Sequence, residues 1–204
     1  MLNITQKYLP PNTLRRPSIK ILGVKFIVAH DTGNDGSTAL QNVNYYINSA
    51  NEMEASAHAF VDDKGVIECI PQDEKAYHVR RVVTTDNSMF GYDSIDYSIG
   101  VELCFSTRGV FDSKLAYNNY VEYIRGLCTK YNLDPRKHVV GHNTLDPTRR
   151  TDPINAFSKI GKTWEMFIND LAPTTPVDKK KEIIEKLGTI VTDVVELKKL
   201  IENI

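Results

Sequence analysis

The run Val24-Lys25-Phe26-Ile27-Val28-Ala29 is almost unbroken in β-branched and aromatic residues, and it stops at His30. A strand that does not alternate apolar with polar residues is covered on both faces. The chain must therefore pack other elements on either side of it. The polar turn Asp31-Thr32-Gly33-Asn34-Asp35-Gly36 follows at once, so the imidazole of His30 stands where a buried strand opens into a loop. Loops carried on a rigid scaffold are where sheet proteins place chemistry.

The rest of the pattern supplies the cover. Ser37 is a suitable cap for a helix over 38–50, with Leu40, Val43 and Ile47 on one face. Residues 56–71 read as a hairpin whose strands, Ala59 to Val61 and Val66 to Ile70, flank Asp62-Asp63-Lys64-Gly65. Residues 80–96 read as a loop, and Tyr97 to Phe105 as a further strand. Leu115, Tyr120, Ile124, Leu127 and Cys128 recur at near-helical spacing over 113–131, and Asp134-Pro135 stops that helix. His138 to His142 reads as a short strand, with His138 at the surface, and residues 156–171 as one helix bearing Phe157, Ile160, Trp164, Phe167 and Ile168. Residues 1–20 read as an extended arm, because Pro10, Pro11 and Pro17 prevent regular helix. Helices between most strands predict an α/β (α+β) fold: a central mixed β-sheet flanked by helices, with a C-terminal helical segment.

The 204 residues, 41% of them hydrophobic, suit one globular domain with a small appendage. The expected boundaries are a domain over 1–172, a proline-containing linker over 173–177, and an amphipathic helix over 178–204. In that last segment Ile183, Leu187, Ile190, Val194, Leu197, Ile201 and Ile204 step by four and three, a heptad seam. Its Ile-rich core positions lean to a trimer or tetramer over a dimer, and a homo-oligomer is expected ahead of the alternative, a helix folded back on the domain. With 25 basic and 26 acidic residues the net charge is −1, which excludes the strong basic excess of a nucleic-acid binder. Cys69, Cys104 and Cys128 are odd in number and far apart, as reduced buried thiols would be. No stretch approaches the ~20 apolar residues of a membrane span, and the N-terminal residues lack the apolar run of a signal peptide. The expectation is a chain made in the cytoplasm.

Of the five histidines, any one alone is more often structural than a ligand. His30 and His142 differ because each ends a strand. Ten residues after His142, Asp152 lies in the turn-forming Arg149-Arg150-Thr151-Asp152-Pro153. Two imidazoles and one carboxylate on separate loops make a three-ligand zinc site with a fourth position open. No HExxH helix is present. His58 reads either as a core residue or as lining a groove, and His78 as a substrate contact. Thr32 and Asn34 either line the groove or only shape the turn.

Gly141-His142-Asn143-Thr144-Leu145-Asp146-Pro147-Thr148-Arg149-Arg150-Thr151-Asp152-Pro153 resembles the second zinc motif of the amidase-2 family, which includes bacteriophage amidases and peptidoglycan recognition proteins. Phe26 to Asn34 resembles its first motif. Ser56-Ala57-His58-Ala59-Phe60-Val61 with Asp63-Lys64-Gly65 resembles its hairpin, Ala76-Tyr77-His78 its small-aromatic-His element, and Ser98 to Leu103 its central strand. The five occur in family order across residues 24–157.

The resemblance implies Zn2+ held by His30, His142 and Asp152, with Glu102 as general base and Tyr46 as the rival. Arg150, where many relatives have Lys, would steady the oxyanion. It implies hydrolysis of the bond between N-acetylmuramic acid and L-Ala of peptidoglycan, as in a phage endolysin acting on the wall after release. A cytosolic muropeptide-recycling amidase and a non-catalytic peptidoglycan recognition module are the alternatives.

Overall fold

Six strands build one sheet in the computed structural model: β1 (Ile4–Gln6), β2 (Phe26–Asp31), β3 (Ala59–Asp62), β4 (Gly65–Glu68), β5 (Ser98–Leu103) and β6 (Val139–Gly141). They lie in the order β1-β4-β3-β5-β2-β6. Only the hairpin pair β3–β4 is antiparallel; the other four pairings are parallel. The described residues are 2–80 and 89–172, with Ile184, Leu187, Gly188, Ile190, Val191, Val194 and Lys198. The helices whose bounds lie among them are α1 (Ala39–Asn48), α2 (Ser94–Tyr97), α3 (Ser113–Lys130), α4 (Pro135–His138), α5 (His142–Leu145), α6 (Ile154–Lys159) and α7 (Trp164–Leu171). The chain divides into two units, Met1–Leu171 and Ala172–Ile204.

Side chains alternate across a strand, so each strand serves two layers. Ile27 and Ala29, Ile99 and Val101, and Ala59 and Val61 meet α3 and α7 through Tyr117, Tyr120, Ile124 and Phe167. On the other face Phe26, Val28 and Val140 pack with Leu145, while Phe60 packs against Ala39 and Val43 of α1. The mixed sheet with helical cover is the expected fold.

Several boundaries differ, each for a local reason. The N-terminal arm is extended, but Ile4–Gln6 pairs with β4 as an edge strand, ahead of the prolines that cannot donate. Thr38, not Ser37, caps α1: its hydroxyl accepts from the Gln41 N–H and the Gln41 side chain accepts from the Thr38 N–H. Leu40 and Leu115 face solvent, and the buried stripe of α3 runs through Ala116, Tyr117, Tyr120, Tyr123, Ile124, Leu127 and Cys128. Asp134-Pro135 starts the one-turn helix α4, Asp134 capping and Pro at its first turn, and His138 ends that helix instead of starting β6. The single helix expected over 156–171 is two, α6 and α7, separated by Gly161 at φ +72°. Within the expected loop 80–96, Ser94–Tyr97 forms α2, and residues 81–88 lie outside the described residues. The three cysteines are free and buried.

Candidate active site

Parallel pairing sets His30 beside Glu102, residue for residue, so both side chains leave the same face of the sheet. His142 follows β6 directly as the first residue of α5. All three stand at the C-terminal ends of parallel strands, where open α/β sheets hold their ligands. Asp152 comes from the loop before α6 and reaches the same point. Its Oδ2 lies 2.9 Å from His30 Nδ1 and 3.0 Å from His142 Nδ1. One donor atom from each residue falls within 4.8 Å of the others. Two imidazole nitrogens and one carboxylate oxygen suit zinc.

Backbone detail brings the third residue in. The Asn143 N–H donates to the Asp152 carbonyl at 2.9 Å. A Cβ on Gly141 would meet Asn143 Oδ1 and Pro153 Cδ, so glycine is what lets the Asp152 loop close on β6. Asp31 ties the same loop to β2: it accepts from the Ala156 N–H at 3.0 Å, from the Gly33 N–H at 2.9 Å, and from Asn155 Nδ2 at 3.3 Å. Tyr120 of α3 accepts from the His30 N–H, and its one O–H proton is shared between the His30 and Val101 carbonyls, all at 3.1 Å. Sequence reasoning missed Asp31 and Tyr120. Asp31 adjoins a candidate ligand, but nothing local tells a carboxylate that organises a loop from one that faces water.

A cleft of about 350 Å³ opens over this cluster, lined among others by Thr32, Tyr46, His78, Glu102 and Arg150. Burial, with the neighbouring His142 charge, lowers the His30 pKa to about 4 against the Asp152 hydrogen bond, so His30 is neutral at pH 7, the form that binds metal. Burial alone would raise the Asp152 carboxyl; its close polar contacts with the His142 and His30 rings outweigh that and hold it well below the usual range. Glu102 goes the other way. Burial first, then the charges of Asp152 and Asp31, push it well above the usual carboxylate range. Its Oε2 is buried with no hydrogen-bond partner among the described residues. A carboxylate so placed binds a proton more readily than a free one. Tyr46 is pushed above the usual phenol range by burial and by Glu102, which makes it a poor base.

The structure places the other candidates as follows. Arg150 is exposed at the cleft wall and Thr32 lines it. Asn34 lines an adjoining hollow of about 270 Å³ that shares Thr32, Tyr46 and Glu102 with the cleft. His58 does not line the groove. It is fully buried, accepting from the Gly100 N–H at Nδ1 (3.0 Å) and donating from Nε2 to the Glu74 carbonyl (3.0 Å). His78 is 8% exposed and touches the cleft, but its ring nitrogens face His30 and Ser98.

A family model described as N-acetylmuramoyl-L-alanine amidase matches residues 21–155. The chain is 35% identical over 157 residues to N-acetylmuramoyl-L-alanine amidase BlyA of Bacillus subtilis (strain 168), covering 73% of this chain and 41% of that one. It is 32% identical over 197 residues to N-acetylmuramoyl-L-alanine amidase CwlL of Bacillus licheniformis, covering 93% and 54%. The chain thus spans about half the length of these relatives. The solved structure of a mutant endolysin from Bacillus subtilis superposes with a TM-score of 0.65 at 25% identity, covering 84% of this chain and all of that one. The family match contains His30 and His142 at their strand ends and Asp152 on its loop, and the chain belongs to the amidase-2 family of N-acetylmuramoyl-L-alanine amidases.

Proposed function

We propose that the protein is a zinc-dependent amidase that cleaves the amide between N-acetylmuramic acid and L-Ala of peptidoglycan, acting as an endolysin in host lysis. The observation that carries this reading is the convergence of His30 Nδ1, His142 Nδ1 and Asp152 Oδ2 beside Glu102, whose Oε2 is buried without a hydrogen-bond partner among the described residues. A zinc ion held by the three would polarise the scissile carbonyl and acidify water toward a pKa of about 7. Glu102 takes the proton of the attacking water, helped by a carboxyl that favours protonation. It then returns that proton to the leaving amine of L-Ala. Arg150, exposed at the cleft wall, offers a permanent cation to the developing oxyanion. Thr32 and Asn34 line the path along which the stem peptide would lie.

The test is product analysis on purified sacculi, before and after a chelator and again after added zinc. New L-Ala amino termini, lost on chelation and restored by zinc, are expected. Release only from soluble muropeptides would transfer the protein to a wall-recycling role. Zinc binding without release from either substrate would make it a recognition module.

A further inference from the structure

His30 has two ring nitrogens and, when neutral, one proton to place. Two acceptors compete for it: Asp152 Oδ2 lies 2.9 Å from Nδ1, and His78 Nδ1 lies 3.1 Å from Nε2. If Asp152 wins, the proton occupies the nitrogen that faces His142 and the carboxylate, and no lone pair is left there for a metal. If His78 wins, that lone pair is free. The surroundings of His78 favour the second arrangement. Its other nitrogen, Nε2, lies 3.2 Å from Ser98 Oγ, and the Ser98 hydroxyl donates to the Ser94 carbonyl. A carbonyl can only accept. The Ser98 oxygen is thus left as an acceptor for His78 Nε2–H, which leaves His78 Nδ1 as an acceptor for His30 Nε2–H.

The ring of His78 is held in place for this. It lies against β5 where Gly100 has no side chain, and a Cβ there would collide with the His78 ring at Cγ and Nδ1. His142 is treated differently: its Nε2 is buried with no partner among the described residues. The chain from His30 to Ser94 ends in a backbone carbonyl, so it orients one proton and cannot relay protons onward.

We propose that His78 is a positioning residue that accepts the His30 Nε2–H hydrogen bond and thereby reserves His30 Nδ1 for the metal. The proposal rests on the zinc reading above. Outer partners of this kind are worth ~10–100-fold in metal affinity. The experiment is zinc affinity of the full chain, measured by competition with a chromophoric chelator, for the unaltered protein, His78→Leu and His78→Asn. His78→Leu keeps bulk but has no acceptor, and is expected to bind zinc ~10–100-fold more weakly. His78→Asn can place its Oδ1 near the lost Nδ1 and is expected to recover most of that affinity, with zinc-free thermal stability measured on both variants as the control for packing. Unchanged affinity in His78→Leu, even with a raised KM, would overturn the proposal and leave a substrate contact. Equal losses in both variants would overturn it in favour of packing. No zinc binding by the unaltered protein would overturn the metal reading and the proposal together.

Discussion

Glu102 combines a stability cost with a catalytic use. Its folded pKa is raised, chiefly by burial, so the folded state holds the proton more tightly than the unfolded one. Stability is therefore lost as pH rises from the usual carboxylate range through the folded pKa, and the loss persists at neutral pH. Glu102→Gln should be more stable than the unaltered protein in zinc-free urea unfolding at pH 7, keep zinc, and lose about 10²–10⁴-fold in kcat. Unchanged turnover would remove Glu102 from the mechanism. His58 gives the opposite pH sign. Burial lowers its pKa to about 4, against the hydrogen bond to the Glu74 carbonyl, and protonating Nδ1 would set it against the Gly100 N–H. Between about pH 6.5 and 4 the unfolded chain binds the extra proton, so stability falls as pH falls, by on the order of 3 kcal/mol. Urea midpoints at pH 7 and 4.5 should differ less in His58→Asn than in the unaltered protein; equal differences would show that His58 does not titrate this way.

Among the elements, β2 matters through what grips its end. Tyr120 holds the backbone of His30 from one face of the sheet, and Asp31 holds the start of α6. The Asp31 carboxylate is charge-assisted in capping the Ala156 N–H, and such bonds contribute about 1.5–3 kcal/mol. Asp31→Ala should lower stability by that amount and weaken zinc binding, because the loop carrying Asp152 loses its tie to β2. Zinc affinity equal to that of the unaltered protein would show that the Asn143 N–H to Asp152 carbonyl bond suffices to hold the loop.

At the scale of the whole molecule, the unit Ala172–Ile204 raises the question of self-association. Its described apolar residues Ile184, Leu187, Ile190, Val191 and Val194 are helical and between 54% and 61% exposed. The other seam positions, Ile183, Leu197, Ile201 and Ile204, lie outside the described residues. The proposed trimer or tetramer predicts a sedimentation mass of three or four chains for the full protein and of one chain for a version ending at residue 172. Monomers in both would refute it. No described helix is long and apolar enough to cross a membrane.

How much was legible in the sequence follows from the range of the forces involved. The strands ending at His30 and His142, the turn holding Asp152 and the hairpin around Lys64 are written in period and composition, because burial and turn chemistry act on neighbouring residues. The position of Glu102 beside His30 was implied by resemblance but required strand pairing to be seen, since register is a property of two distant segments. The break at Gly161 hinges on one glycine within an otherwise helical pattern. The fate of the remaining histidines was beyond any local signal. His58 and His78 look alike in the sequence, each in a short apolar context. Only the folded sheet gives His58 two backbone partners and turns His78 toward the ring of His30, because a side chain's hydrogen bonds are chosen by whatever tertiary packing brings within 3 Å. Period and composition were enough for a sheet with helical cover, and the resemblance for three candidate ligands; which nitrogen of each ring faces the common point was set by tertiary packing, because it depends on partners far apart in the chain.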